Sequence, residues 1–242
     1  MGPSRGRPTL KEIEKVARVT TATLAEYGLE CCLFGSTACA MYGASRVPNV
    51  GLYMRRTLLS ISTAATQDVD VIVLNLWTSW DVEDVKQLLE RENENFFLVP
   101  STNPRNTYQV LWYSLSTKNS RACKVDILVP GTVDIPQIPI SSTTYTSDRD
   151  RIPLVPFVVL LLLKLRGWDD HRNHHRRDMI DKQHVDVQDI NELLGMCNDG
   201  DHLSNESWLP KWFIKKSRKR VRQYVISFPD SANDWRSIGF EV

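Results

Sequence analysis

No stretch of this sequence stays apolar for long enough to cross a bilayer. The longest apolar run, residues 152–165, is broken by Pro153 and Pro156 and carries Lys164. A membrane span needs roughly 20 apolar residues, so a buried helix is expected there, with no membrane role. Cysteine is sparse and unpatterned. The five cysteines are an odd number, Cys31 and Cys32 are adjacent, and no Cys-x-x-Cys occurs. With no signal peptide visible, reduced thiols in a cytosolic or nuclear protein are expected. Neither sign of charge is in excess: 30 Lys and Arg stand against 29 Asp and Glu, a formal +1. That balance excludes strong bulk attraction to nucleic acid or membrane and confines any such affinity to a local patch. No internal repeat is visible.

What is present is the make-up of an ordinary globular protein, 42% apolar and 24% charged over 242 residues. This suffices for one large domain or two small ones with real cores. Thr9 and Glu12 have the form of a capping box, and Ile13, Val16, Ala17, Thr20, Leu24 and Tyr27 then recur at helical spacing until Gly28. A short strand is expected at Cys31 to Phe34, a helix of small residues from Thr37 to Tyr42, and a helix from Asp81 to Glu92. Strands are expected at Phe96 to Val99, Gln109 to Leu115 and Ala122 to Val129, then a Pro-, Ser- and Thr-rich loop or edge segment from Pro130 to Ile152. Beyond it the period turns helical: Pro153 to Arg166, Val187 to Met196 and Trp208 to about Phe228.

The chemistry concentrates at Asp68-Val69-Asp70. In a strand, residues two apart share a face, so both carboxylates project together while Val69, Val71 and Val73 face the other way. Side-by-side like charges are costly, and a divalent cation of the magnesium type, carried with a nucleotide's phosphates, relieves the repulsion. A further strand, Cys123 to Val129, carries Asp126 in otherwise apolar surroundings. An ionised Asp there is expensive unless it is paired or bound to metal, which makes Asp126 the third carboxylate. Upstream, Gly35-Ser36 opens a helix, where backbone N–H groups and the absence of a side chain suit a phosphate.

Phe34-Gly35-Ser36, Asp68-Val69-Asp70 and Asp126 together resemble the polymerase-beta-like nucleotidyltransferase-fold superfamily, nearest to its small abortive-infection-toxin-like and aminoglycoside-type members. Lys164 with Arg172, and Lys182 with Asp186 and Asp189, look like the helical segments that follow in the toxin-like members. The resemblance implies a small mixed-sheet α/β nucleotidyltransferase fold over residues 1–150 and an all-helical C-terminal half over residues 151–242. It implies in-line attack of a hydroxyl acceptor on the α-phosphate of a nucleoside triphosphate, with release of pyrophosphate. In that reading Asp68, Asp70 and Asp126 hold two magnesium ions, Asp126 accepts the hydroxyl proton, Gly35 and Ser36 cradle the β- and γ-phosphates, and Lys164 neutralises triphosphate charge. Nothing in residues 151–242 names the acceptor as small molecule, RNA or protein, and fold analogy cannot supply it. The alternatives are a catalytically inactive member kept for nucleotide binding or regulation, and a nucleic-acid-binding protein that uses residues 211–222.

One departure from the pattern is a long gap between Ser36 and Asp68, its excess lying between Asn49 and Asp68. Removal of Val50 to Gln67 would join Arg46-Val-Pro-Asn49 to Asp68-Val-Asp70 and restore an Arg-x-x-x-Asp-x-Asp context. Valine codons begin GT and one glutamine codon is CAG, the ends of an intron, and the length suits the short introns of a fungal-type genome. The segment reads either as a retained intron or as a lineage-specific loop, which chain entropy tolerates.

Two weaker signals remain. His171, His174 and His175 have the spacing of ligands on one helix face, and equally that of a solvated polar face. The run from Lys211 to Arg222 mixes seven basic residues with aromatics. Its Trp212, Phe213, Val221 and Tyr224 read as a packing stripe with the charges outward, and the same charges suit nucleic-acid phosphates.

Overall fold

The computed structural model describes residues 8–44, 68–101, 103, 106–116, 121–147 and 151–242. The segment Val50 to Gln67, read as retained intron or loop, lies outside the described residues. The chain divides into two compact units, one drawn from Met1–Ala38 and Thr66–Pro156, the other from Cys39–Ala65 and Phe157–Val242.

The first unit is built on a seven-stranded mixed sheet. In chain order it contains α1 (Leu10–Glu26), β1 (Cys31–Phe34), the start of α2 (Gly35–Met41), β2 (Asp68–Val73), α3 (Val82–Glu92), β3 (Phe96–Pro100), β4 (Gln109–Ser116), β5 (Arg121–Leu128), β6 (Thr144–Tyr145) and β7 (Pro153–Leu154). The strand order is β3-β4-β5-β2-β1-β7-β6. β2 and β5 are parallel, as are β1 and β7, while the remaining neighbours are antiparallel.

Local chemistry explains the element ends. Thr9 caps α1 reciprocally with Glu12: the Glu12 N–H donates to Thr9 Oγ1 at 3.3 Å and the Thr9 N–H donates to Glu12 Oε2 at 2.7 Å. Glu12 also takes both guanidinium nitrogens of Arg121, at 2.9 and 2.8 Å, tying α1 to the start of β5. Asp81 caps α3 in the same reciprocal way with Asp84. Ile13, Val16, Ala17 and Leu24 of α1 and Val85, Leu88 and Leu89 of α3 are buried with the sheet's Leu33, Val69, Val71, Leu111 and Val125. The segment expected as loop or edge supplies β6, the last strand of the sheet.

The second unit holds the rest of α2 and α4 (Phe157–Arg172), α5 (Arg177–Ile180), α6 (Gln183–Met196), α7 (Lys211–Ser227) and α8 (Ala232–Ser237). The apolar helix expected from Pro153 starts later, at Phe157. A residue preceding proline is pushed out of helical backbone, so Val155, ahead of Pro156, stays extended and donates its N–H to the Leu33 carbonyl at 2.9 Å. Residues 157–163, Leu165 and Trp168 of α4 are buried almost all round, the mark of a helix at the centre of its unit. Trp168 meets Tyr224 of α7 edge to face at 4.9 Å, and Tyr224 in turn meets Trp235 of α8 at 6.0 Å. Such aromatic pairs add directional contacts to area burial.

Candidate active site

The register of β2 against β5 brings the three carboxylates to one surface. Asp68 stands opposite Lys124 and Asp70 opposite Asp126. Because side chains alternate across a strand, these four residues share one face. Val69, Val71, Val125 and Ile127 enter the core from the other. Asp68, Asp70, Lys124 and Asp126 are all half-buried.

The ammonium of Lys124 is an unexpected member of this group. Its Nζ lies 2.5 Å from Asp126 Oδ2. Burial works against its charge, yet Asp126, with Asp68 and Asp70 behind it, holds its pKa above the usual lysine value. The same negative field acts on Cys123, whose thiol is pushed up to about 12, first by burial and then by Asp68 and Asp70. Cys31 is likewise raised to about 12, mainly by burial. Both shifts favour the protonated thiol over the nucleophilic thiolate.

The glycine-serine turn meets the carboxylate strand at one atom. Phe34, the last residue of β1, pairs with Asp70. The next residue, Gly35, has φ +66, and a Cβ there would fall 2.1 Å from Asp70 Oδ2 and 3.0 Å from its Cγ. Only glycine takes this backbone without strain and also leaves room for the carboxylate. Two residues on, the buried hydroxyl of Thr37 donates to the Asp68 carbonyl oxygen at 2.7 Å, fastening the first turn of α2 to the start of β2. The register thus puts Asp68, Asp70 and Asp126 on one face of the sheet, with Gly35 against Asp70 and Ser36 following in the same turn. Thr37 and Lys124 are additions that the sequence reading did not single out.

Hard oxygen donors on one face are the ligands magnesium takes, so the donor set fits such an ion in kind. In the arrangement observed, Lys124 occupies one oxygen of Asp126. Among the described residues no three His, Cys, Asp or Glu side chains are gathered as a metal site.

Lys164 belongs to the second unit, where its Nζ lies 2.6 Å from Asp189 Oδ2, the two side chains being 12% and 1% exposed. Burial opposes its charge, but Cys39, Asp189 and Asp186 together raise its pKa above the usual value. His171 Nδ1 lies 2.5 Å from Asp186 Oδ2. Burial keeps the Asp186 carboxyl above the usual range although His171 and Lys164 pull it down. Arg172 donates to Asp169 at 2.9 Å and to Gln223 at 2.7 Å. Lys164, Arg172, Asp186 and Asp189 therefore belong to a polar layer inside the helical unit, while Lys182 is exposed. α4 ends at Arg172, so the three histidines do not share a helix face. His174 instead accepts from the Arg176 N–H at 3.0 Å and stacks on His175 at 4.4 Å.

A mixed sheet that presents carboxylates on two adjacent parallel strands, next to a Gly-Ser turn and followed by helices, defines an α/β nucleotidyltransferase-like fold with a helical C-terminal half. The fold is similar to the crystal structure of an antigenic nucleotidyltransferase-like protein from Paracoccidioides brasiliensis. The match has a TM-score of 0.63 and 14% identity, covering 96% of this chain and 95% of that chain. No protein-family model and no curated protein matches this sequence. Among the described residues, no helix is long and apolar enough to cross a membrane.

Proposed function

We propose that this chain is a metal-dependent nucleotidyltransferase that moves a nucleoside monophosphate from a nucleoside triphosphate to a hydroxyl acceptor. The observation that carries the reading is the close approach of Asp70 to Gly35 while Asp70 stands in register with Asp126. That arrangement joins a turn suited to phosphate with carboxylates suited to a hard cation.

In this reading Asp68, Asp70 and Asp126 hold magnesium. When bound, the metal supplies charge neutralisation at the attacking and leaving oxygens. Gly35 and Ser36 receive the β- and γ-phosphates on backbone N–H groups, close approach being possible because Gly35 has no side chain. Asp126 accepts the proton of the acceptor hydroxyl, and Lys124, at 2.5 Å, holds that carboxylate in place. Lys164 is paired with Asp189 within the helical unit.

The test is transfer of label from α-labelled triphosphates, with pyrophosphate release, in the presence of magnesium. Total RNA, the protein itself and a panel of small polyols serve as acceptors. Wild type is compared with Asp68→Ala/Asp70→Ala, and the pair is repeated on a version lacking Val50 to Gln67. Magnesium-dependent transfer that the double substitution abolishes is the expected result. Equal signals from wild type and double variant in both backgrounds would sink the proposal. A second reading, a nucleotide-binding module without turnover, is favoured by one observation, the engagement of Asp126 by Lys124. It predicts nucleotide binding without pyrophosphate release.

A further inference from the structure

We infer that α7 is a binding surface for a single-stranded polynucleotide, independent of nucleotidyl transfer. Its inward side is fixed by Phe213, Ser217, Val221 and Tyr224, all essentially buried. That orientation leaves Lys211, Lys215, Arg218, Lys219 and Arg222 exposed. At about 100° per residue these five fall within one face of the helix, and at 1.5 Å per residue the row runs about 16 Å.

The charges on this face lack the compensation found elsewhere on the same helix. Arg220, on the inward side, faces Asp169 at 3.6 Å. Among the described residues none of the five outward cations makes an ion pair. No acidic residue occurs from Lys211 to Ser227, and the stretch from Lys211 to Arg222 carries seven basic residues in a chain of net charge +1, so the remainder carries a net −6. Lys211 and Lys215, Lys215 and Lys219, and Arg218 and Arg222 are like-charged neighbours four apart, each of which destabilises an isolated helix. A face kept only for solubility mixes both signs and avoids these repulsions. A polyanion laid along the row relieves them.

The neighbouring aromatic selects the kind of polyanion. Trp212 was expected in the packing stripe, but it is 44% exposed, with the Lys216 ammonium 5.4 Å from its ring centroid. It borders the basic row on the Lys219 side. An exposed aromatic beside a row of cations is the arrangement on which unpaired bases stack while their phosphates are neutralised. A duplex hides its base faces within its own stack and has no use for Trp212. An anionic membrane would require a continuous apolar helix face, whereas the exposed large apolar residues of α7 are Trp212 and Ile226, at opposite ends of the helix. A row of about 16 Å matches roughly five nucleotides at the 3.4 Å rise per strand.

The test is fluorescence anisotropy of labelled ten-nucleotide U and dT strands, a ten-base-pair duplex, and phosphatidylserine-containing vesicles as competitors, in 50–200 mM salt. The expected result is binding of single strands in preference to duplex. With about five phosphate contacts at a slope near −0.7 each, affinity falls about 100-fold across that salt range. Lys215→Gln/Lys219→Gln lowers the slope by about 1.4, two contacts at that same value. Trp212→Ala weakens single-strand binding and leaves the slope unchanged. Asp68→Ala/Asp70→Ala binds as wild type, so failure of the transferase reading leaves this one standing. A preference for either the ribose or the deoxyribose strand supports the inference and identifies the natural form. Equal binding of duplex, displacement by vesicles, an unchanged slope in the lysine variant, or no binding at 50 mM salt would overturn it.

Discussion

Replacing Gly35 by alanine tests whether the Gly-Ser turn and the carboxylate strand act as one site. The added methyl does two separable things. It makes an L-residue hold φ +66, a left-handed conformation that costs about 1–2 kcal/mol outside glycine. It also puts a carbon 2.1 Å from Asp70 Oδ2. The carboxylate must therefore turn away from its position, at about 1–3 kcal/mol more for overpacking in a filled site. Asp70→Ala removes the second effect and leaves the first. In urea unfolding of the four proteins of this cycle, Gly35→Ala should cost about 2–5 kcal/mol in the wild-type background and about 1–2 kcal/mol with Asp70→Ala. The coupling of about 1–3 kcal/mol lies above the roughly 0.5 kcal/mol scatter of independent sites. Gly35→Ala alone should also abolish label transfer, as Asp70→Ala does, because it displaces the same carboxylate. An additive cycle would refute the contact, and full activity in Gly35→Ala would refute its role.

Three further outcomes follow from the ion pairs. Lys124→Gln should tighten magnesium binding about 1.4- to 5-fold by calorimetry, because a half-exposed pair holds Asp126 by only about 0.2–1 kcal/mol; unchanged affinity would place Lys124 outside the site. Lys164→Met should destabilise the helical unit by about 3–5 kcal/mol, since it removes the ammonium that faces the buried Asp189 carboxylate, and Lys164→Met/Asp189→Leu should recover most of the loss in thermal unfolding. Glu12, held below the usual 4.5 by Thr9 and then Arg121, contributes stability that is complete above pH 4.5 and is lost as pH falls through its folded-state value. Acid unfolding of Glu12→Gln should therefore lack that part of the pH dependence, and a curve parallel to wild type below pH 4.5 would contradict the assignment.

The elements with local signals were readable in advance. Thr9 and Glu12 announce α1 because both halves of a capping box lie within four residues, and the alternation of Asp68-Val-Asp-Val fixes which side of β2 is buried without any partner strand. The start of α4 was not, because β7 forms only when another strand is beside it. Pro153 and Leu154 carry a helical neighbour's apolar character, and their pairing with β1 at Leu33 is a long-range event that no window of sequence contains. The proline at position 156 was the available clue, since it bars helical backbone at Val155.

The site divides in the same way. The alternation that placed Asp68 and Asp70 on one face applies equally to Lys124 and Asp126, so the lysine was readable as a companion of the third carboxylate. Its proximity to Asp68 and Asp70 was not, because strand register across this distance is set by burial of whole faces. Asp70 opposite Asp126 and Asp68 opposite Lys124 are one choice, and a one-residue slip would turn the carboxylates of one strand into the core. The valines and isoleucine between them forbid that slip. Lys164 shows the converse limit: its place on an apolar helix was plain, but Asp189 becomes its partner only through the packing of α4 on α6. A lysine within a run of leucines thus reads alike whether it serves a triphosphate or a buried aspartate, and only removing one member of the pair distinguishes them.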